Sequence, residues 1–225
     1  KIMGLFKRNP FGHILFLKTW LIRIAGIITH RRYRSFNELH IEGSEIIRSL
    51  PDTNVLFISN HQTYFADVVA MFHVFNASLK GRENNIKNVL YLWNPKLNLY
   101  YVAAKETMQE GLLPRILAYA GAITVERTWR AKGKDVTEKK EVNPNDTENI
   151  KIALEDGWVI TFPQGTTRSF KPVRKGTAHI ILQHKPIVVP IVIDGFRRSF
   201  DRKGLRIKKK GILQSFVIKE PLKID

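Results

Sequence analysis

Hydrophobic and polar positions divide the chain into a long mixed leader and a series of short, strongly apolar runs separated by turns. Residues 11–29, FGHILFLKTWLIRIAGIIT, are the most hydrophobic long stretch, yet Lys18 and Arg23 fall in its middle. At a bilayer centre each charge would cost about 2.5 to 3.5 kcal/mol, which argues against a simple span. The same charges interrupt the apolar run that a signal peptide needs, and no small-residue cleavage site follows. The pattern predicts an interfacial helix: Phe11, Phe16, Trp20 and the Leu/Ile residues enter the headgroup boundary, while Lys7, Arg8, Arg31, Arg32 and Arg34 meet anionic lipid. Lys18 and Arg23 lie well apart around the helix, so at least one must snorkel. A helix packed on the following domain is the alternative reading.

From residue 36 the pattern changes to that of a compact domain, so the chain divides into a membrane-associating segment, 1–35, and a domain, 36–225. Strands are expected at 37–43, 55–59, 98–104, 122–127, 159–162 and 187–193, and helices at 44–50, 66–76, 114–120 and 177–183. A further helix begins at an Asp146 or Thr147 cap and ends near Gly157, and residues 131–149 have no apolar periodicity and read as an exposed loop. Strands alternating with helices predict an α/β fold with a largely parallel, mixed sheet flanked by helices.

Charge and composition narrow the partners. The chain of 225 residues has 37 Lys and Arg against 20 Asp and Glu, a net charge of +17, which calls for an anionic partner such as nucleic acid, an acidic membrane surface or phosphorylated substrates. There is no cysteine, so disulfides, thiolate metal sites and cysteine nucleophiles are excluded. Lys1 at the first position and a C-terminus without a closing element lead us to expect that both ends are cut.

Chemistry-bearing residues gather where strands end. NHQTYFAD at 60–67 follows the apolar run 55–59, and a histidine between a strand and a helix is a usual address for catalysis in α/β proteins. AAKE at 103–106, FPQGTTRS at 162–169 and VPIVIDG at 189–195 stand at three further strand ends. In this order, with Gly121-Ala122-Ile123 and Glu126-Arg127 between them, the blocks resemble the lysophospholipid acyltransferase family, which includes the 1-acylglycerol-3-phosphate acyltransferases. The resemblance runs from about Val55 to Gly195.

The resemblance implies an O-acyltransferase that needs no cofactor. Its donor would be acyl-CoA or acyl carrier protein, its acceptor a lysolipid, and its location the cytoplasmic face of a membrane with an anionic surface. His61 would be the general base and Asp67 its orienting carboxylate, although the family places four residues between the two and here there are five. A turn can absorb the extra residue. The acceptor hydroxyl would itself be the nucleophile, with backbone N–H groups of the turn before the helix holding the oxyanion.

The second block implies a substrate-binding turn. The family reads Phe-Pro-Glu-Gly-Thr-Arg-Ser, whereas this chain has Gln164, Gly165, Thr166, Thr167 and then Arg168. The turn's N–H groups suit an anion, and Lys105, Arg168, Lys171, Arg174 and Lys175 could surround it. The replaced Glu and displaced Arg leave two acceptors open, 1-acylglycerol-3-phosphate and an amino-acid-headed lysolipid. His13, His30, His40, His73, His179 and His184 show no metal-ligand spacing and are expected in core or surface roles. Arg202-Lys203 and Lys208-Lys209-Lys210, near Phe196 and Phe200, accompany no nucleic-acid motif; lipid headgroups, coenzyme A phosphates or an acidic carrier protein explain the same charge. A non-catalytic lipid-binding relative and a basic nucleic-acid-binding protein remain the rival readings.

Overall fold

The computed structural model describes residues 6–126 and 143–224. Strands β1 (Glu38–Glu42), β2 (Val55–Ser59), β3 (Leu99–Ala104), β4 (Ala122–Val125), β5 (Trp158–Thr161), β6 (Ile187–Asp194) and β7 (Leu213–Ile218) form one sheet in the order β1-β7-β6-β2-β5-β3-β4. All neighbours pair in parallel except β6 with β7. The central strands read as continuous apolar runs, VLFIS and WVIT, because helices cover both of their faces.

On one face lies α3 (Ala66–Leu79), which is buried along almost its whole length. Its Phe75 meets Phe57 of β2, with ring centroids 4.4 Å apart, and Trp158 of β5 at 6.1 Å. On the other face α6 (Pro144–Asp156) sets Ile150, Ala153 and Leu154 against Leu56 and Val159. Asn143 caps α6, accepting the Asn145 N–H at 3.0 Å, and Pro144 occupies its first turn. The cap expected at Asp146 or Thr147 is therefore corrected to Asn143: the Asp146 carboxylate instead accepts the Glu126 N–H at 2.8 Å. Residues 144–149 of the expected loop are helical, and 127–142 lie outside the described residues. The short helices are α2 (Ile46–Ser49), a 3₁₀ turn at Val89–Leu92, α4 (Lys105–Gln109), α5 (Leu112–Ala118), α7 (Lys175–His184) and α8 (Phe196–Ser199).

The leader forms α1 (Leu15–Arg34), and one stripe of it packs on the domain. Lys18, Ile22, Gly26 and Tyr33 are buried, four or seven residues apart and therefore on one side of the helix. Tyr33 belongs to the main core and its hydroxyl donates to the Ala66 carbonyl at 2.7 Å, at the start of α3. Lys18, unlike Arg23, does not reach the surface. Lys18 points inward over the Tyr100 ring, 4.7 Å from its centroid, and burial pushes its ammonium down to about 8. Arg23 donates to the Trp93 carbonyl at 2.8 Å and stacks on Trp93. The opposite side of α1 leaves Phe16, Leu17, Trp20, Ile24, Ile27 and Ile28 exposed. Among the described residues no helix is long and apolar enough to cross a membrane.

Strand β7 and helix α8 stand where no element was expected. LQSFVI alternates buried and exposed positions as a strand should, but Gln214 occupies an inward position and masks the apolar period. Pro190 lies within β6, where its carbonyl accepts the Lys219 N–H at 2.9 Å as the ladder with β7 closes.

Candidate active site

The carboxyl ends of β2, β3 and β5 converge on one cavity of about 120 Å³, lined by His61, Tyr64, Val68, Tyr101, Phe162, Thr166 and Arg174 among others. This is where open α/β sheets bind ligands. Beyond Ser59 the chain stays in sheet register for one residue: the Asn60 side-chain amide donates to the Ile193 carbonyl and accepts the Ile193 N–H, both at 2.8 Å, like a strand residue of β6's partner. The turn then places His61 against Phe162, their rings stacked 3.9 Å apart.

Asp67, in the first turn of α3, is fully buried, and its side-chain hydrogen bonds go to the His61 turn. Its Oδ2 accepts from His61 Nδ1 at 2.9 Å and from the Gln62 N–H at 2.6 Å, and its Oδ1 accepts from the Thr63 hydroxyl at 2.8 Å. The Thr63 N–H, at 3.1 Å, reaches both oxygens. The longer interval thus brings the two groups together, because Gln62 and Thr63 wrap around the carboxylate. A carboxylate on Nδ1 holds the proton there and leaves Nε2 as the working nitrogen.

That wrapping narrows one expectation. Four of the turn amides meant for an oxyanion are engaged: Gln62 and Thr63 give theirs to Asp67, Tyr64 donates to the Arg202 carbonyl at 3.2 Å and Phe65 to the Lys203 carbonyl at 2.9 Å. The loop after α8 is pressed so close that a Cβ on Gly204, whose φ is +75°, would lie 2.5 Å from Ala66 N.

The second block is divided by the structure. Gly165, at φ +60°, turns the chain under the Arg174 guanidinium, and a Cβ there would meet its Cζ at 2.9 Å. Arg174 and Thr166 line the His61 cavity, whereas Gln164, Arg168 and Lys171 line an outer groove with Thr166 and Arg174. Gln164 Nε2 donates to the Lys171 carbonyl at 2.7 Å and closes the loop, a bond no carboxylate makes. Thr167, at the family's arginine position, is buried. Lys105 pairs with Glu126 at 3.4 Å and Lys175 opens α7 in solvent; neither lines these cavities. Of the expected anion cluster, then, Arg174 alone is brought to the histidine, a proximity that depends on how the 164–174 loop folds back.

His73 is buried in the core, bonded to Thr29 at 2.9 Å and Tyr91 at 2.7 Å, and burial lowers its imidazole to about 3. Among the described residues no group of three or more His, Asp or Glu is placed to hold a metal ion.

The sequence profile of the family described as Acyltransferase matches residues 38–194, and the chain belongs to that family. A 1-acyl-sn-glycerol-3-phosphate acyltransferase of Cocos nucifera is 26% identical over 192 residues, which cover 84% of this chain. The chain spans about half, 51%, of that relative's length. In fold it is similar to the crystal structure of the 1-acyl-sn-glycerophosphate acyltransferase PlsC of Thermotoga maritima, with a TM-score of 0.54 at 18% identity, covering 98% of this chain and 75% of that one.

Proposed function

We propose that the protein is a monotopic O-acyltransferase that moves a fatty acyl group from a thioester to the hydroxyl of a lysolipid. The observation that carries this is the His61–Asp67 pair, held at 2.9 Å by a fully buried carboxylate with the imidazole lining a cavity. The acceptor oxygen attacks the thioester carbonyl as its proton passes to Nε2; collapse of the tetrahedral intermediate expels the thiolate, which recovers that proton from the imidazolium. Asp67 stabilises the imidazolium between the two steps. With the amides of Gln62, Thr63, Tyr64 and Phe65 engaged, the oxyanion falls to Thr166, which lines the cavity and whose hydroxyl accepts the Arg168 N–H at 3.3 Å, keeping its own O–H to give.

Arg174 gives the acceptor its charge preference. A phosphate two carbons from the reacting hydroxyl belongs in the same cavity as His61, and Arg174 is the cation there. We therefore read 1-acylglycerol-3-phosphate as the acceptor and the amino-acid-headed lysolipid as the competitor. The acyl chains have an apolar cleft between α1, α3 and α5, lined by Ile22, Gly26, Phe72 and Leu117, which shares Val68 and Tyr101 with the His61 cavity. The exposed apolar side of α1, continued by Leu90, Trp93, Leu112 and Leu113, would lie in the lipid interface, with the protein on the cytoplasmic face.

The test is thiol release from a long-chain acyl thioester with each lysolipid on lipid vesicles. His61→Ala should abolish transfer without unfolding the protein, and Arg174→Ala should raise the KM for the phosphate acceptor about tenfold or more while sparing the other. Turnover by folded His61→Ala would end the mechanism, and a wild type that prefers the amino-acid head would reverse the acceptor reading.

A further inference from the structure

The basic residues that follow β6 take no part in the chemistry above. Arg197, Arg202 and Lys208, with Arg168 from the Gly165 loop, line an open cleft of about 500 Å³ whose walls include Gln62 and Phe200. That size suits a cofactor-sized ligand. Asp201, the acid in the lining, is turned to its own loop and accepts the N–H groups of Leu205 at 2.9 Å and Arg206 at 3.0 Å. Arg197 donates to the Ser169 hydroxyl and the Thr167 carbonyl, which fastens the cleft to the Gly165 loop. Arg202 lies on the Tyr64 ring, 5.4 Å from its centroid, a stacking that leaves the edge of its guanidinium to donate. Among the described residues Arg168, Arg202 and Lys208 form no ion pair.

Position decides what such a cleft can hold. It adjoins the His61 cavity without sharing a lining residue: His61 and Thr166 line the cavity, Gln62 and Thr167 line the cleft, and Arg202 of the cleft lies on Tyr64 of the cavity. An acceptor phosphate, tied closely to the hydroxyl that His61 must reach, cannot sit there. A polyanion held there must reach the reacting carbonyl through a long flexible arm, and a thioester donor is built that way. A carrier protein would place one phosphodiester at the cleft and meet a broad surface with the rest of its contacts. Four cations around one concavity match several phosphates on one small molecule.

We propose that the Arg168–Arg197–Arg202–Lys208 cleft binds the 3′-phosphoadenosine diphosphate of coenzyme A, with the pantetheine arm running past Gln62 to present the thioester to His61. The inference rests on the reading of the protein as a thioester-dependent acyltransferase, and it names the donor which that reading leaves open.

Free coenzyme A, which cannot react, is the probe. Calorimetric titration of the intact protein at fixed salt should show coenzyme A binding more tightly than dephospho-coenzyme A, and pantetheine most weakly. Lys208→Gln and Arg202→Ala should each weaken coenzyme A binding about tenfold and leave pantetheine unchanged, as expected for loss of a charge-assisted phosphate contact. The double variant should bind coenzyme A and dephospho-coenzyme A alike. Should Arg202→Ala lose its fold, Lys208→Gln carries the test, since the Lys208 contact that the fold uses is its backbone N–H to the Ser199 carbonyl at 2.7 Å. Equal wild-type affinity for coenzyme A and pantetheine overturns the proposal. So does a Lys208→Gln protein that binds coenzyme A normally, whether it has lost affinity for the acceptor or for acyl carrier protein. Because binding is read without turnover, the acyltransferase reading fails separately, through a wild type that binds coenzyme A yet transfers acyl groups from no thioester.

Discussion

Replacing Asp67 by Asn keeps the shape of the side chain and removes its charge, which isolates what the carboxylate contributes. Four donors meet it: His61 Nδ1 at 2.9 Å, the Gln62 N–H at 2.6 Å, the Thr63 N–H at 3.1 Å and the Thr63 hydroxyl at 2.8 Å. An amide has one oxygen to offer them. With NH₂ in the place of Oδ2 it confronts the imidazole N–H and the Gln62 amide; with NH₂ in the place of Oδ1 the Thr63 hydroxyl can turn and accept, so this orientation should win. Each remaining bond then changes from charge-assisted to neutral, a loss of about 1 kcal/mol apiece, and the whole substitution should cost about 3 kcal/mol of stability. Catalysis should suffer more than the fold, because the imidazolium loses its counter-charge and the tautomer its anchor; triad aspartates lead us to expect a loss of about 100-fold to 10,000-fold in turnover. Thiol release at saturating donor and acceptor, corrected for the folded fraction from a denaturant curve, measures both effects. A folded Asp67→Asn protein turning over within tenfold of wild type would show that the pair is structural and that the proton leaves by another route.

Three further outcomes follow from burial and shape. Lys18→Met should stabilise the protein: burial lowers the ammonium from 10.5 to about 8, so the penalty is fully present below that value and fades as pH rises towards the unfolded pKa. It amounts to on the order of 3 kcal/mol near neutrality, and denaturant midpoints of the two proteins should converge by about pH 10 to 11, whereas a parallel offset at every pH would contradict it. Changing Trp20, Ile24 and Ile28 together to Ser should release the protein from anionic vesicles in sedimentation at raised salt with little change in melting, and unchanged retention would place the membrane contact elsewhere. Gly204→Ala puts a Cβ 2.7 Å from the Thr63 hydroxyl and 2.5 Å from a backbone nitrogen, so both melting temperature and turnover should fall, and a silent substitution would mean that the loop is not pressed on the turn as described.

The parts of this architecture that could be read from the chain are those where local pattern and tertiary role agree. The runs around Phe57 and Ile160 are apolar because both faces of their strands are covered, and NHQTYFAD announces a strand end followed by a helix start. Reading fails where one residue breaks its element's pattern. Gln214 hides β7 by standing inside a sheet, with no partner for its amide among the described residues, and Lys18 reads as a charge of an interfacial helix while it is itself among the most deeply buried side chains. Other features are set by distant chain. The fate of the Tyr64 and Phe65 amides depends on the Arg202 and Lys203 carbonyls, and the choice of Arg174 over Lys105 and Lys175 depends on the fold of a loop. No local spacing encodes these.

Among the described residues β1 has a single neighbour in the sheet, and that neighbour is β7, which pairs Glu38 with Leu213. A ribosome therefore delivers the first strand long before its partner exists, and the flank of β6 from Ile191 to Asp194 also waits for the same late segment. The 202–204 loop that braces the His61 turn emerges just ahead of β7. Assembly of the sheet must then wait for that segment: until it appears, a nascent chain carries two unsatisfied strand edges and an unbraced histidine. Such a chain needs shelter while it is being made, and its histidine site is completed only when the sheet is.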